Sequence, residues 1–319
     1  MIRKTLALII VFCLVFSIAS CVPNSSFDNG GSTGDNTDNN GSGSNDSDGN
    51  DSGNTSDQDS GETILNHAEY TVTVKGPLGQ LLSGVTVFVH LDNGEDYNVC
   101  LAPAVTDKNG SVTFTLDATE SYSVGLTGFP GVFTAKDGNT RETRYALDSQ
   151  NTEITLGVRE NYNPKMYSLG GYMADFTITD INGNEYGLYD LLAEKKAVVL
   201  NFWFCGCGPC ASEFPALNKA YNSYKDKLEV LAINDHPQEG YDSVVNYETV
   251  KGFDLDMPLF KVGYGSAVSL SRFKSQGYPT TVIIDRYGKI CVVHVGAMTS
   301  TEQWEKLFAF YTSDSYTQS

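Results

Sequence analysis

Lys196 is followed by AVVLNFWF, a run without a charge, and then directly by Cys-Gly-Cys-Gly-Pro-Cys. A run of that kind suits a strand buried on both faces at the centre of a sheet. Gly208-PCASEFPALNKAYNSYKDK then reads as a helix, with Leu217, Tyr221 and Tyr224 at steps of four and three on its buried face. Cys205, Cys207 and Cys210 therefore stand where a central strand turns into a helix. Unsatisfied backbone N–H groups and the helix dipole favour an anion there. Pro209 suits the first helical turn because its missing N–H has no partner to lose.

A thiolate that attacks a disulfide needs such an environment, together with exposure. Cys207 fits the attacking sulfur, and Cys210, one turn along, fits the shielded sulfur that resolves the mixed disulfide. A zinc half-site would need a second cysteine pair, which the chain lacks, so neither a metal nor a cofactor is expected.

Around this junction the order of elements is α/β. Asp175-FTITDINGNEYGLYDLL precedes the central strand, and Leu228-EVLAIN reads as a second buried strand. Tyr241 to about Lys251 reads as a helix, Thr280-TVIID and Lys289-ICVVHVG as a hairpin, and Gln303-WEKLFAFY as a closing helix. Strand, helix, strand, helix, hairpin, helix is the order of a thioredoxin fold.

From about Tyr167 to Tyr311, the motifs FWFCGCGPCASEFP and GYPTTVIIDRYGKI resemble the TlpA/ResA-like thiol-disulfide oxidoreductases, lipoproteins of the thioredoxin superfamily with an AhpC/TSA-redoxin type domain. The resemblance implies redox cysteines at Cys207 and Cys210, in the Trp-x-x-x-Cys-x-x-Cys that begins at Trp203. It makes Tyr278-Pro279 a cis-proline loop opposite them, where a substrate strand pairs with the backbone of Tyr278. Trp203, Tyr278 and Pro279 are accordingly expected to contact substrate. Glu213 falls where ResA-like proteins carry a Glu near the disulfide. It either accepts the proton of Cys210 or is a first-turn Glu stabilised by the helix dipole. Thioredoxin's buried Asp is replaced by Asn201. Gly206 stands where the family usually has Trp, which bares the nucleophile. Cys205 is open between a packed filler, a third redox thiol and a ligand. Cys291, His236 and His294 read as structural.

The N-terminal part has a different character. Basic residues and an apolar stretch lead to Ile18-Ala19-Ser20-Cys21, which resembles a bacterial lipobox. The expectation is a signal peptide over residues 1–20 and a lipid anchor at Cys21, which puts the protein at the extracytoplasmic face of a bacterial cell membrane. Residues 23 to 62 are almost wholly Gly, Ser, Thr, Asn and acidic, with nine acidic residues and no Lys or Arg. Such a segment within 21–65 is expected to be a disordered acidic tether, with a span of roughly 35 Å. It accounts for half of the formal net charge of -18, so the acidity says little about substrate. A basic nucleic-acid footprint is absent.

Residues 66–160 show short alternating runs with turn signals, as in Tyr70-TVTVK, Val85-TVFVHL and Ser111-VTFTL. An all-β antiparallel sandwich is expected, followed by the α/β domain over 161–319. The phrases GVTVFV, TDKNGSVTFTL and NTEITLGV resemble transthyretin-like, carboxypeptidase-regulatory-like modules, which implies a spacer or a binding module.

Together these readings point to exchange of dithiols and disulfides in extracytoplasmic proteins, with reduction favoured by analogy and a redox partner supplying or accepting electrons. Two alternatives differ in class: a peroxiredoxin-like antioxidant enzyme, and a non-catalytic surface binding lipoprotein. Phe204-CGC lacks the Thr of the peroxidatic Pro-x-x-x-Thr-x-x-Cys motif, which weighs against the first.

Overall fold

The computed structural model describes residues 66–92, 103–135, 144–275 and 277–317. The expected signal peptide, tether and lipidated Cys21 lie outside the described residues, as does Cys100.

The N-terminal lobe is built from nine strands: β1 (His67–Lys75), β2 (Thr86–Leu91), β3 (Ala104–Val105), β4 (Ser111–Asp117), β5 (Tyr122–Thr127), β6 (Phe133–Thr134), β7 (Tyr145–Ala146), β8 (Asn151–Thr155) and β9 (Gly157–Val158). They form one sheet in the order β4-β1-β8, a second in the order β3-β2-β5-β7, and a small β6-β9 pair. Alternate residues of β1 and β2, among them Val72, Val74, Val87 and Val89, are buried, as the period of a strand requires. One pairing departs from the expected all-antiparallel pattern: β8 runs parallel to β1, with Thr71 opposite Asn151. Asn109 and Ser111 N–H groups both bond to Asp107, so the DKNG turn is closed by its own aspartate.

The C-terminal lobe follows a segment, residues 159–176, that carries no helix or strand. Its elements are β10 (Thr177–Thr179), β11 (Glu185–Gly187), α1 (Leu188–Glu194), β12 (Ala197–Trp203), α2 (Gly208–Tyr224), β13 (Leu228–Asn234), α3 (Tyr241–Val245), α4 (Tyr247–Lys251), β14 (Leu259–Lys261), β15 (Thr280–Asp285), β16 (Ile290–Val295) and α5 (Thr301–Tyr311). The five-stranded sheet has the order β14-β13-β12-β15-β16, with β12 parallel to β13 and antiparallel to β15. This is the thioredoxin-like α/β arrangement. Every residue of β12, β13 and β15 is buried, which explains why their sequences do not alternate. The helix expected from Tyr241 to Lys251 is broken into α3 and α4 at Asn246, whose side chain bonds back to the Asp242 carbonyl.

The pleat of β12 sorts its side chains between two cores. Val198, Leu200 and Phe202 face the cluster that contains Leu188, Leu192 and residues of the N-terminal lobe. Ala197, Val199 and Trp203 face α2 and α5 through Phe214, Leu217, Trp304 and Phe308. The two lobes share the first of these clusters. The Phe133 and Tyr172 rings meet at 5.0 Å, and Gln80 Nε2 donates to the Tyr287 carbonyl at 3.1 Å.

Candidate active site

The last residue of β12 and the first of α2 are separated by four residues, Phe204 to Cys207, and the turn they make sets the site. Cys207 is the N-cap of α2, and its Sγ accepts from the Cys210 N–H at 3.1 Å. A disulfide joins Cys207 to Cys210. Cys207 is 5% exposed and Cys210 fully buried, so an incoming molecule reaches only the first sulfur.

Asn201 has the same strand parity as Val199 and Trp203, so its side chain turns toward α2. There its Nδ2 donates to Glu213 Oε1 at 2.7 Å and to Thr281 Oγ1 at 3.3 Å. The other Glu213 oxygen accepts from the Met298 N–H at 2.7 Å. Glu213 is 0% exposed, and burial pushes its carboxyl up to about 7, against the pull of those two hydrogen bonds. It lies three residues after Cys210 on one helix, where side chains are neighbours. A buried acid balanced near neutrality can take a proton from, or return it to, a neighbouring thiol.

Across the turn, the Tyr278–Pro279 peptide is cis. The Tyr278 hydroxyl donates to Asp235 Oδ1 at 2.7 Å, and the other Asp235 oxygen accepts from Ser269 Oγ and the Leu270 N–H. Asp235 is fully buried, so these donors replace its water. It ties the end of β13 to the proline loop and to the 3-10 turn Leu270–Phe273. Phe204 stacks on His236 at 4.8 Å and meets Tyr278 edge-on at 5.2 Å. His236, read from sequence as structural, thus lies beside the proline loop, and it lines a cleft of about 590 Å³ with Tyr278, Tyr264 and Lys274. The side of Gly206 where the family carries Trp is not open space, because a Cβ there would meet the Phe204 ring at 3.1 Å.

Trp203 requires a correction. It was expected to contact substrate, yet it is 0% exposed and packed between Phe214 and Tyr247, with ring centroids at 5.2 and 4.5 Å. The strand parity that buries Ala197 and Val199 buries it too, and it supports the turn from beneath. Cys205 points away from the helix start: its Sγ meets the Ser243 carbonyl at 3.5 Å. Burial, then the hydrogen bond and charge of Glu239, push its thiol up to about 12, so it stays protonated and weakly nucleophilic. Cys291 lies in β16 against the Tyr316 hydroxyl at 3.4 Å, and burial pushes it up to about 11.

Sequence reasoning missed the end of β13 and the segment after it. Asn234, Asp235, His236 and Glu239 all reach the turn or the proline loop. Polar residues following the apolar run Val230 to Ile233 were the available signal.

Residues 169–293 match the model of the AhpC/TSA family. The Thioredoxin-like protein YneN of Bacillus subtilis is 36% identical over 140 residues, which cover 43% of this chain and 78% of that protein. The chain belongs to the AhpC/TSA family. The Thiol-disulfide oxidoreductase ResA of Halalkalibacterium halodurans is 32% identical over 131 residues, 41% of this chain and 70% of that one. With these relatives, this AhpC/TSA protein is an oxidoreductase of the thiol-disulfide class. Among solved structures, the exposed lipoprotein thioredoxin Etrx1 of Streptococcus pneumoniae aligns with a TM-score of 0.36 and 26% identity, covering 42% of this chain and 98% of that chain.

Proposed function

We propose that the protein is a lipid-anchored extracytoplasmic thiol-disulfide oxidoreductase that reduces disulfides in exported proteins through Cys207 and Cys210. The observation that carries this reading is the dithiol pair at the start of α2, one sulfur reachable and the other buried, with the buried Glu213 carboxyl one turn beyond.

In the reduced enzyme the Cys207 thiolate attacks one sulfur of a client disulfide. A mixed disulfide forms and the client's other sulfur leaves as a thiolate. Glu213 takes the proton of Cys210, whose thiolate attacks Cys207 Sγ. The second client sulfur departs, and the Cys207–Cys210 disulfide remains. A redox partner then supplies two electrons, and the protons return through Glu213 and water. Tyr278 and Pro279 flank the client strand, and Asp235 holds Tyr278 in place. Cys21 supplies the membrane anchor, the acidic tether gives reach, and the β-sandwich acts as a spacer between them.

Reduction of insulin with an external reductant tests the reading. Turnover is expected, and Cys207→Ser abolishes it. No turnover, or turnover indifferent to Cys207→Ser, would overturn the proposal. A fast reaction with peroxide instead would favour the peroxiredoxin-like alternative.

A further inference from the structure

The N–H groups immediately before the dithiol point at one carboxylate. Cys205 N–H donates to Glu239 Oε2 at 2.9 Å, and Gly206 N–H donates to Glu239 Oε1 at 3.3 Å. Asn234 Nδ2, from the end of β13, donates to Oε2 at 2.7 Å and fixes the carboxylate from the other side. Burial opposes ionisation of Glu239, but the bonds from Cys205, Asn234 and Gly206 outweigh it and hold the carboxyl below its ordinary range. Glu239 is therefore an anion at neutral pH.

That charge has no counter-ion among the described residues. The titratable groups that feel it are Cys205, Tyr247 and Tyr278, each pushed up, chiefly by burial, so each is neutral. His236 faces the same turn through Phe204, and Lys251 lies toward Cys205. Two donors that would otherwise strengthen the positive field around Cys207 are thus committed to an anion, and Cys207 Sγ keeps the Cys210 N–H.

We propose that Glu239 is a positioning residue for the dithiol: its carboxylate fixes the Phe204–Gly206 turn, and its charge holds the 207–210 couple toward the reducing side. Breaking the disulfide takes two electrons and two protons and gives two thiols. Where Cys207 ionises, one of those protons is released, and whatever favours its thiolate stabilises the reduced form and raises the potential. A fixed anion beside the turn acts in the opposite sense. The inference rests on Cys207 being the attacking sulfur, yet the potential belongs to the pair whatever its clients are.

The test equilibrates the intact protein with glutathione redox buffers at neutral pH and reads the dithiol fraction by alkylation and mass spectrometry. Glu239 is half-buried on a loop, and the Glu239→Gln amide keeps one oxygen for the Cys205 and Asn234 donors and gives up only the longer bond from the Gly206 N–H. The variant's equilibrium constant for reduction is expected to rise about tenfold, which is about 30 mV for a two-electron couple. The pH midpoint of Cys207 alkylation falls with it. Glu239→Asp, which keeps the charge, stays near the wild type in both readings. A Glu239→Gln constant within about twofold of wild type would overturn the proposal, being well short of that tenfold shift. An equal shift in Glu239→Asp would overturn its electrostatic part, leaving reach alone. Were the wild type inactive on insulin while the Glu239→Gln shift appeared, the proposed function would fail and this inference would stand.

Discussion

Replacing Glu213 with glutamine removes a carboxyl that burial has moved from 4.5 up to about 7. The folded state therefore prefers the protonated acid more than the unfolded chain does. Its contribution to stability is fully present below pH 4.5 and is lost as pH rises through about 7. At about 1.4 kcal/mol per pH unit, the wild type should lose about 3 kcal/mol at this site between pH 4.5 and about 7.5. The amide of Glu213→Gln has no proton to lose and keeps an oxygen for the Met298 N–H. Its new NH₂ can face Asn201, whose Oδ1 is buried without a partner among the described residues, once that amide turns over. Urea denaturation of the oxidised protein at the two pH values measures the difference. The variant should be the less pH-dependent of the two by about 3 kcal/mol. An unchanged pH dependence would refute the burial argument for Glu213. In turnover, the same variant should slow resolution of the mixed disulfide by roughly 10²-fold or more.

Three further outcomes follow from the geometry. Asp235→Ala strips the acceptor from Tyr278, Ser269 and Leu270 and should cost about 3 kcal/mol in urea denaturation; a loss under about 1 kcal/mol would show that these bonds do not hold the proline loop. Trp203→Ala should lower stability by about 3–5 kcal/mol, while Trp203→Phe leaves KM for insulin unchanged, because the ring is buried and touches no substrate; a raised KM in the phenylalanine variant would restore it to the substrate surface. Cys205→Ser should retain turnover and the 207–210 linkage, and a 205–207 or 205–210 linkage in oxidised wild type, mapped by mass spectrometry, would make the stretch a three-thiol switch instead.

What was legible in the sequence was local. The apolar run of β12, the helix start at Gly208 and the hairpin of β15 and β16 follow from residues close in the chain, and they place Cys207, Cys210 and Glu213 on adjoining turns. The parity of β12 also determines that Trp203 shares a face with Val199 and packs under α2, a consequence of the two-residue period of a strand alone. Pairing between distant segments was not legible. That β8 joins β1 in parallel depends on which free edge the N-terminal lobe offers, not on the composition of either strand. The roles of Asp235 and Glu239 depend on donors contributed by Tyr278, Cys205 and Gly206, more than thirty residues away in each case. A polar loop residue carries no mark of its partner. The break at Asn246 is intermediate: Asn is a weak helix former, but the bond from its side chain to Asp242 is seen only in the folded turn.

The central claim is that Cys207 attacks and Cys210 resolves, and trapping tests it most directly. Cys210→Ser, reduced and then mixed with a disulfide-bonded protein, cannot complete the second step. Peptide mapping should find a stable mixed disulfide on Cys207, with Cys205 and Cys291 unmodified. An adduct on Cys205 or Cys291, or none at all, would contradict the account.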